Sequence, residues 1–501
     1  MIADMQRPKI CLCLTGNTLA EDLAILNTYR KWIDMAELRV DYLEKDERLQ
    51  IRHFPAMAGL PCILTIRRKI DGGQFLEGEA SRTMLFARGL AFAEQDTRKN
   101  FAYIDFEEDF HVPSLQDAAL AFETRIIRSA HDMENPVYNI CERLAKMRTT
   151  GFEIPKLACM PHSLSDVTHM FAEAASLADS EHILCAMGPL GLPSRILAGR
   201  LHSFLTYTSP KEPTGGMQQI GHIDPVTLNE IYNFRAIDAN TKLYGITGYP
   251  LAATDSPRIH NEGYRKHGMN AAYVPVRAAT VSEALEFAAE TGIQGLSVTI
   301  PHKEKVLEYL PQVSAEVGEI DACNTIVRTE SDWFGYNTDA YGLSRAVCDF
   351  MNVKNLAHCK VAIIGSGGAA KAAAFAVKQL RGKACIFNRT VSKAKQIAEN
   401  FNFKWAPLGP ESADLLEKYS DLIIQTTPKG MGAAPPATEQ NDPIFFYDFK
   451  GHEAVYDVVY VPEITPVMAR AKAAGCKVSN GHTMLEYQAY KQFELFTGAE
   501  Y

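Results

Sequence analysis

The sequence predicts an α/β protein in two parts: a closed (β/α)8 barrel, then a second α/β region of two domains, one of them a doubly wound parallel sheet. Three observations carry that prediction. The chain has 501 residues, and single hydrophobic cores stop growing at about 250–300, so several are needed. Short apolar, β-branched runs alternate with amphipathic segments through residues 1–220. A glycine-rich turn between a short buried strand and an alanine-rich helix lies at residues 360–370.

Composition narrows the function classes. The chain is 47% hydrophobic and 22% charged, the balance of a globular protein. Its net charge is −9, without a basic stripe, which argues against a nucleic-acid partner. Eleven cysteines stand without paired spacing, as expected of buried thiols in a reducing compartment. No run reaches the ~18–20 apolar residues of a membrane span. The first run, Ile10 to Leu14, reads as a strand and not as a signal-peptide core. The expected location is cytoplasmic, and a trimmed organellar presequence would leave no trace here.

The strand candidates of the barrel, over residues 1–222, are KICLCL, AELRV, CILTI, AYIDF, RIIRSA, PKLACM, ILCAM and FLTYT. Amphipathic stretches such as Leu115 to Glu123 and Val137 to Lys146 lie between them. This rhythm suits βαβ crossovers, and eight strands favour a closed TIM-type barrel over the alternative of an open doubly wound sheet. In a barrel, chemistry collects at the C-terminal strand ends. Glu37, Arg39 and Asp41 fall there, as do Arg67, Asp105, Glu107, His131 and Arg195, with Lys156 opening the sixth strand. Any one could be a structural charge. So many together are costly to bury unless they meet a charged ligand, and the arginines point to a small carboxylate.

Lys156 lies in EIPKLACM, in poorly solvated surroundings that favour the neutral amine, the form that attacks a carbonyl. A structural lysine is the competing reading. His131 is the nearby group suited to taking a proton from carbon and returning it to a departing hydroxyl.

These residues resemble type I 3-dehydroquinate dehydratase over roughly residues 8–222. The matching segments are Glu37-Leu-Arg-Val-Asp41, Thr65-Ile-Arg67 with Gly72-Gly73, Ile104-Asp-Phe-Glu107, Ser129-Ala-His-Asp132, Pro155-Lys-Leu-Ala-Cys-Met160, and Met187-Gly188 with Ser194-Arg195. The resemblance implies that Lys156 forms an imine with the substrate and His131 is the acid and base. It implies that Glu37, Arg39, Arg67 and Arg195 hold hydroxyls and carboxylate, and that the family's glutamine after strand eight is Gln219. Two departures are Asp71, where the family has Glu, and Gly215, where it has Ser.

Residues 223–240 read as a connecting segment, an accessory helix and polar turn rather than a flexible linker. A new strand begins at Leu243. Further on, Lys360-Val-Ala-Ile-Ile and Gly365-Ser366-Gly367-Gly368-Ala369-Ala370 form the strand–turn–helix of a Rossmann-type dinucleotide site, residues 346–479 being its domain. The following strand ends in Asn388-Arg389-Thr390 with Lys393 beyond. Where NAD-specific folds place a carboxylate, this chain has donors, which predicts NADP(H). No Cys/His cluster has metal-ligand spacing, so no metal is expected.

Ser297-Val-Thr-Ile-Pro-His-Lys303 and Gly335-Tyr-Asn-Thr-Asp339 precede the nucleotide domain. A lysine with an aspartate beside a ketone can exchange a proton as hydride arrives; His302 is the competing acid. This region resembles shikimate dehydrogenase from Tyr244 to the C-terminus. The matches include Tyr244-Gly-Ile-Thr-Gly-Tyr-Pro250, Ser256-Pro-Arg-Ile-His-Asn261, Asn324-Thr325, Thr427-Pro-Lys-Gly-Met431 and Gly481-His-Thr-Met-Leu485 with Gln488. The resemblance implies that Thr254, Ser256, Thr299, Asn324 and Gln488 contact the substrate and Gly481 the cofactor. It also implies a split substrate domain, 241–345 completed by 480–501. Thr254 and Ser297 stand where members have Ser and Asn. Together the resemblances imply that the first site's product, 3-dehydroshikimate, is the second site's substrate. A quinate-oxidising enzyme and a ligand sensor that kept both pockets are the alternatives. Self-association is not legible.

Overall fold

The computed structural model describes residues 7–91, 96–212, 220–251, 254–330 and 332–501. Contacts divide the chain into two compact units. One holds residues 1–245, 249–252 and 264–293, the other 246–248, 253–263 and 294–501.

The first unit is built on eight parallel strands. They are β1 (Lys9–Leu14), β2 (Met35–Arg39), β3 (Cys62–Thr65), β4 (Tyr103–Glu107), β5 (Arg125–Asp132), β6 (Ile154–Cys159), β7 (Ile183–Ala186) and β8 (Leu205–Thr208). Their order is β7-β6-β5-β4-β3-β2-β1-β8, as a barrel requires. Closure between β7 and β8 rests on a single bridge, His182 to Ser203, where Phe204 N–H donates to His182 O at 2.7 Å. Ser203 reinforces the seam by accepting from Leu184 N–H at 3.2 Å. The expected helices appear as Pro113–Ala121 and Ile140–Lys146. Lys156 is the third residue of β6, not its first, because the strand starts at Ile154.

The segment after the barrel is tied down along its length. Trp32 Nε1 donates to Glu230 at 2.9 Å, and Arg235 pairs with Asp34 at 2.8 Å.

A six-stranded sheet follows: β9 (Lys242–Gly248), β10 (Ala271–Arg277), β11 (Ile293–Val298), β12 (Gln312–Val313), β13 (Thr325–Arg328) and β14 (Trp333–Tyr336), ordered β10-β9-β11-β13-β14-β12. The third sheet holds β15 (Lys360–Ile364), β16 (Lys383–Asn388), β17 (Lys404–Pro407), β18 (Leu422–Gln425), β19 (Ala454–Asp457) and β20 (Lys477–Ser479). All its pairs are parallel, in the order β17-β16-β15-β18-β19-β20. This is the 3-2-1-4-5-6 order of a doubly wound dinucleotide fold, and the strand order reverses between β15 and β18, where such folds bind ligands. No helix among the described residues is long and apolar enough to cross a membrane.

The last helix, His482–Thr497, returns to pack on the helix Asp339–Met351. Gly342 makes the close approach possible, since a Cβ there would stand 2.7 Å from Met484 O.

Candidate active sites

Strand periodicity sorts the barrel interior into layers. Met35, Ile63, Tyr103, Ile127 and Ile154 are core residues in the first halves of their strands. Two and four positions on, the same faces carry Glu37 and Arg39, Thr65 and Arg67, Asp105 and Glu107, Ser129 and His131, and Lys156. The floor is apolar and the mouth ionic.

Lys156 Nζ donates to Asp105 Oδ2 at 3.1 Å, stands 3.9 Å from Glu37 Oε1 and lies 4.3 Å from the centre of the Tyr207 ring. Arg67 reaches Asp105 and Glu107, each at 2.8 Å, and Ser129 Oγ at 3.0 Å. Burial alone would raise the Asp105 carboxyl; Arg67 and Lys156 together outweigh it and hold it well below the usual carboxylate range. Burial does raise Glu107, although Arg67 and Arg82 both donate to it. Arg39 forks onto Asp41 at 2.9 and 2.8 Å, and Glu37 accepts from Thr65 at 2.9 Å and from the Cys13 thiol at 3.1 Å.

Ser129 is in register with Lys156, so His131 opens onto the same interior, nearer the mouth. Its Nδ1 is buried with no hydrogen-bond partner among the described residues. Burial, then Arg67 and Lys156, push this imidazole well below 6.5. It is therefore in the neutral form that a general base requires.

Arg195 is buried and donates only to carbonyls, Ile220 O at 2.9 Å and Tyr207 O at 3.4 Å. Among the described residues no carboxylate pairs with it, and its Nε has no acceptor. A buried guanidinium left in that state is a place for an anion. Gln219 and Gly215 lie outside the described residues. The chain just beyond is pinned to the rim by Gly188 N–H on Ile220 O at 2.9 Å and Ser209 N–H on Ile223 O at 3.2 Å. That anchoring sets His222 near Arg195. Its Nδ1 is also buried without a partner among the described residues, and burial, then Arg195 and Arg39, depress its imidazole strongly. Sequence reasoning missed His222, the last residue assigned to the barrel, next to what read as a connecting segment. Asp71 pairs with Arg68 at 2.6 Å, and Arg68 also binds Asp109, so the shorter carboxylate anchors the loop after β3.

In the second unit, Lys303 Nζ lies 2.5 Å from Asp339 Oδ2. Asp339 opens its helix, where the macrodipole favours a carboxylate. Asn324 Nδ2 donates to Asp339 Oδ1 at 2.9 Å and to Gln488 Oε1 at 3.2 Å, so four of the expected residues meet. Thr254 and Ser256 hydroxyls pair at 3.1 Å, and Ser256 opens the helix Ser256–Lys266. Thr299 is held by its backbone N–H on Thr247 O at 2.9 Å. His302 is buried, and Lys303, not His302, is the partner of Asp339.

The glycine turn sits at the end of β15. Gly365 has φ +119, and a Cβ there would lie 2.6 Å from Thr426 Oγ1. Ser366 and Gly367 lead into the helix Gly368–Gln379, with Gly367 as N-cap and Ala369 in its first turn. Nothing lies within 4 Å of a Cβ built on Gly367, which leaves room for a pyrophosphate at a helix N-terminus. A Cβ on Gly368 would be 3.3 Å from the Lys303 side chain, so the turn abuts the lysine. Asn388 ends β16 with its Nδ2 on Thr390 O at 3.0 Å; Arg389, Thr390 and Lys393 are exposed. This set of donors fits a dinucleotide carrying a 2′-phosphate. Gly481 caps the last helix against Val458.

A barrel with a buried lysine, joined to a doubly wound sheet with a lysine–aspartate pair beside its glycine turn, defines a two-site α/β enzyme. Residues 10–239 match the type I 3-dehydroquinase family, and residues 246–326 match the shikimate dehydrogenase substrate binding domain. The chloroplastic bifunctional 3-dehydroquinate dehydratase/shikimate dehydrogenase of Arabidopsis thaliana is 31% identical over 486 residues, 93% of this chain and 78% of that protein. A shikimate dehydrogenase (NADP(+)) of Carboxydothermus hydrogenoformans is 35% identical over 269 residues, 52% of this chain and 94% of its own. The solved dehydroquinate dehydratase and shikimate dehydrogenase from S. pombe is 22% identical with a TM-score of 0.43, covering 99% of this chain and 96% of that one. The chain belongs to the family of bifunctional 3-dehydroquinate dehydratase/shikimate dehydrogenases.

Proposed function

We propose that the barrel dehydrates 3-dehydroquinate to 3-dehydroshikimate and that the C-terminal half reduces this ketone to shikimate with NADPH. The observation that carries the reading is Lys156 among Asp105, His131 and the unpaired cation of Arg195. Arg195 takes the substrate carboxylate, which brings the ring ketone to Lys156. The amine attacks, water leaves, and the imine draws electrons from the adjacent carbon. His131 removes that carbon's proton and delivers one to the departing hydroxyl; hydrolysis then frees Lys156. In the reductase, bound NADPH supplies hydride. Lys303 donates its proton to the ketone oxygen as negative charge develops there, while Asp339 orients the ammonium and Asn324 with Gln488 holds ring hydroxyls.

The residues support a division into functional modules 1–222, 241–345 with 480–501, and 346–479, joined by 223–240. All eleven cysteines are free, in keeping with a cytoplasmic or other reducing compartment. The partners we assign are small molecules, with no role for nucleic acid.

Supplying 3-dehydroquinate and NADPH tests both steps at once: NADPH absorbance should fall. Failure with 3-dehydroshikimate as well would overturn the reductase assignment; success with 3-dehydroshikimate alone would overturn that of the dehydratase. Two further results are expected. Because His131 is held below 6.5 in the unliganded chain, the acid limb that it sets in the dehydratase kcat/KM profile should lie below pH 6.5. The same shift costs stability as pH falls through 6.5, since the unfolded chain then takes up a proton that the folded one refuses. A limb at or above pH 6.5 would contradict this. Arg389→Ser should raise the NADPH KM roughly 10- to 100-fold, the worth of a charge-assisted bond, and leave the NADH KM unchanged. Equal losses with both nucleotides would remove Arg389 from the phosphate site.

A further inference from the structure

Gln492 lies one helical turn beyond Gln488 on the last helix and is buried behind Asn324. Its Oε1 accepts from the Ser297 hydroxyl at 2.7 Å and lies 3.4 Å from His260 Nε2. Its Nε2 donates to Thr325 Oγ1 at 2.9 Å and to the Asn324 backbone carbonyl at 3.3 Å. A carbonyl can only accept, which fixes the amide's orientation. Thr325 in turn donates to Asn324 Oδ1 at 2.9 Å. The same oxygen accepts the Thr338 backbone N–H at 2.7 Å, a group that can only donate. Asn324 Nδ2 is thereby turned toward Asp339 Oδ1 and Gln488 Oε1. The hydrogen bonds run in one sense, from Ser297 through Gln492, Thr325 and Asn324 to the carboxylate that holds Lys303.

We propose that Gln492 is a positioning residue of the reductase site: it sets the Asn324 amide, and through it Asp339 and Gln488, in the orientation the substrate needs. The inference rests on the reductase reading above. Side-chain chemistry explains the choice of residue. Ser297 faces Thr325 across the antiparallel pair of β11 and β13, but its own hydroxyl is spent on Gln492. A primary amide accepts from one hydroxyl and donates to the next. Leucine does neither, and an ionised glutamate can only accept.

The test uses the full chain with Gln492→Leu and Gln492→Glu, assayed for shikimate oxidation with NADP+ and for dehydration in the same preparations. Loss of alignment at a reacting centre costs roughly 10- to 100-fold. Both variants should therefore lose roughly that factor in kcat/KM for shikimate while keeping the NADP+ KM and the dehydratase rate. Adding Ser297→Asn to Gln492→Ala should recover part of the loss, since an asparagine amide can reach Thr325 across the strand pair. Unchanged shikimate kinetics in both variants would overturn the proposal. So would losses shared by the NADP+ KM without recovery in the double variant. A parent chain idle with shikimate and NADP+ would condemn the reductase reading itself; an active parent with indifferent variants condemns only the role of Gln492.

Discussion

Lys156→Ala is expected to abolish dehydration, by about four orders of magnitude or more, while shikimate oxidation by the same chain continues at the parent rate. The loss is expected to be large because, on the proposed mechanism, the lysine does more than bind. Without an amine there is no imine, and without the imine the carbon next to the ketone keeps its proton. Residues that act as one unit fail together, so adding a His131 substitution should cost little more. Borohydride reduction in the presence of 3-dehydroquinate supplies the second readout. The parent chain should gain the mass of a reduced adduct on Lys156, and the variant should gain none. Adduct formation elsewhere, or dehydration surviving the substitution, would refute the assignment. Truncating Lys156 also leaves Asp105 with Arg67 as its remaining cationic partner, so the barrel should still fold.

The second large effect is expected from Lys303→Met, which keeps much of the side chain's apolar length and removes its charge. Loss of a positioned proton donor costs roughly 10²–10⁴-fold, and we expect shikimate kcat to fall within that range. The NADP+ KM should change little, because only the stem of Lys303 abuts the glycine turn. Asp339→Asn should do less harm than Asp339→Ala, since an amide can still accept from the ammonium. Equal activity in parent and Lys303→Met chains would return His302 to consideration as the acid.

Much of this was legible in the chain itself. The eight barrel runs were readable because strands buried on both faces are apolar and short, and helical spacing separates them. The barrel's floor and mouth follow from the same period of two. The nucleotide turn was legible because strand, glycines and helix fall within eleven residues, 360–370. What sequence could not show was pairing across distance. Gln492 and Ser297 are 195 residues apart and become partners only when the last helix folds back. His222 gives no local signal either: nothing near it in the chain is charged in the way Arg195, Arg39 and Lys156 are in space. Nor could sequence show that the barrel would meet at one bridge between β7 and β8, since that depends on where strands end.

Arg195 carries a wider implication. At rest the barrel stores an electrical debt in the Arg195 guanidinium, which no carboxylate among the described residues offsets. An arriving carboxylate then acts as a missing piece of the interior, and occupancy and folding become linked. Any small acid that fits should raise the melting temperature of the barrel, and Arg195→Met should erase that gain while making the empty protein hardier. If the unliganded variant melts below its parent, the charge is better settled in the resting molecule than this picture allows.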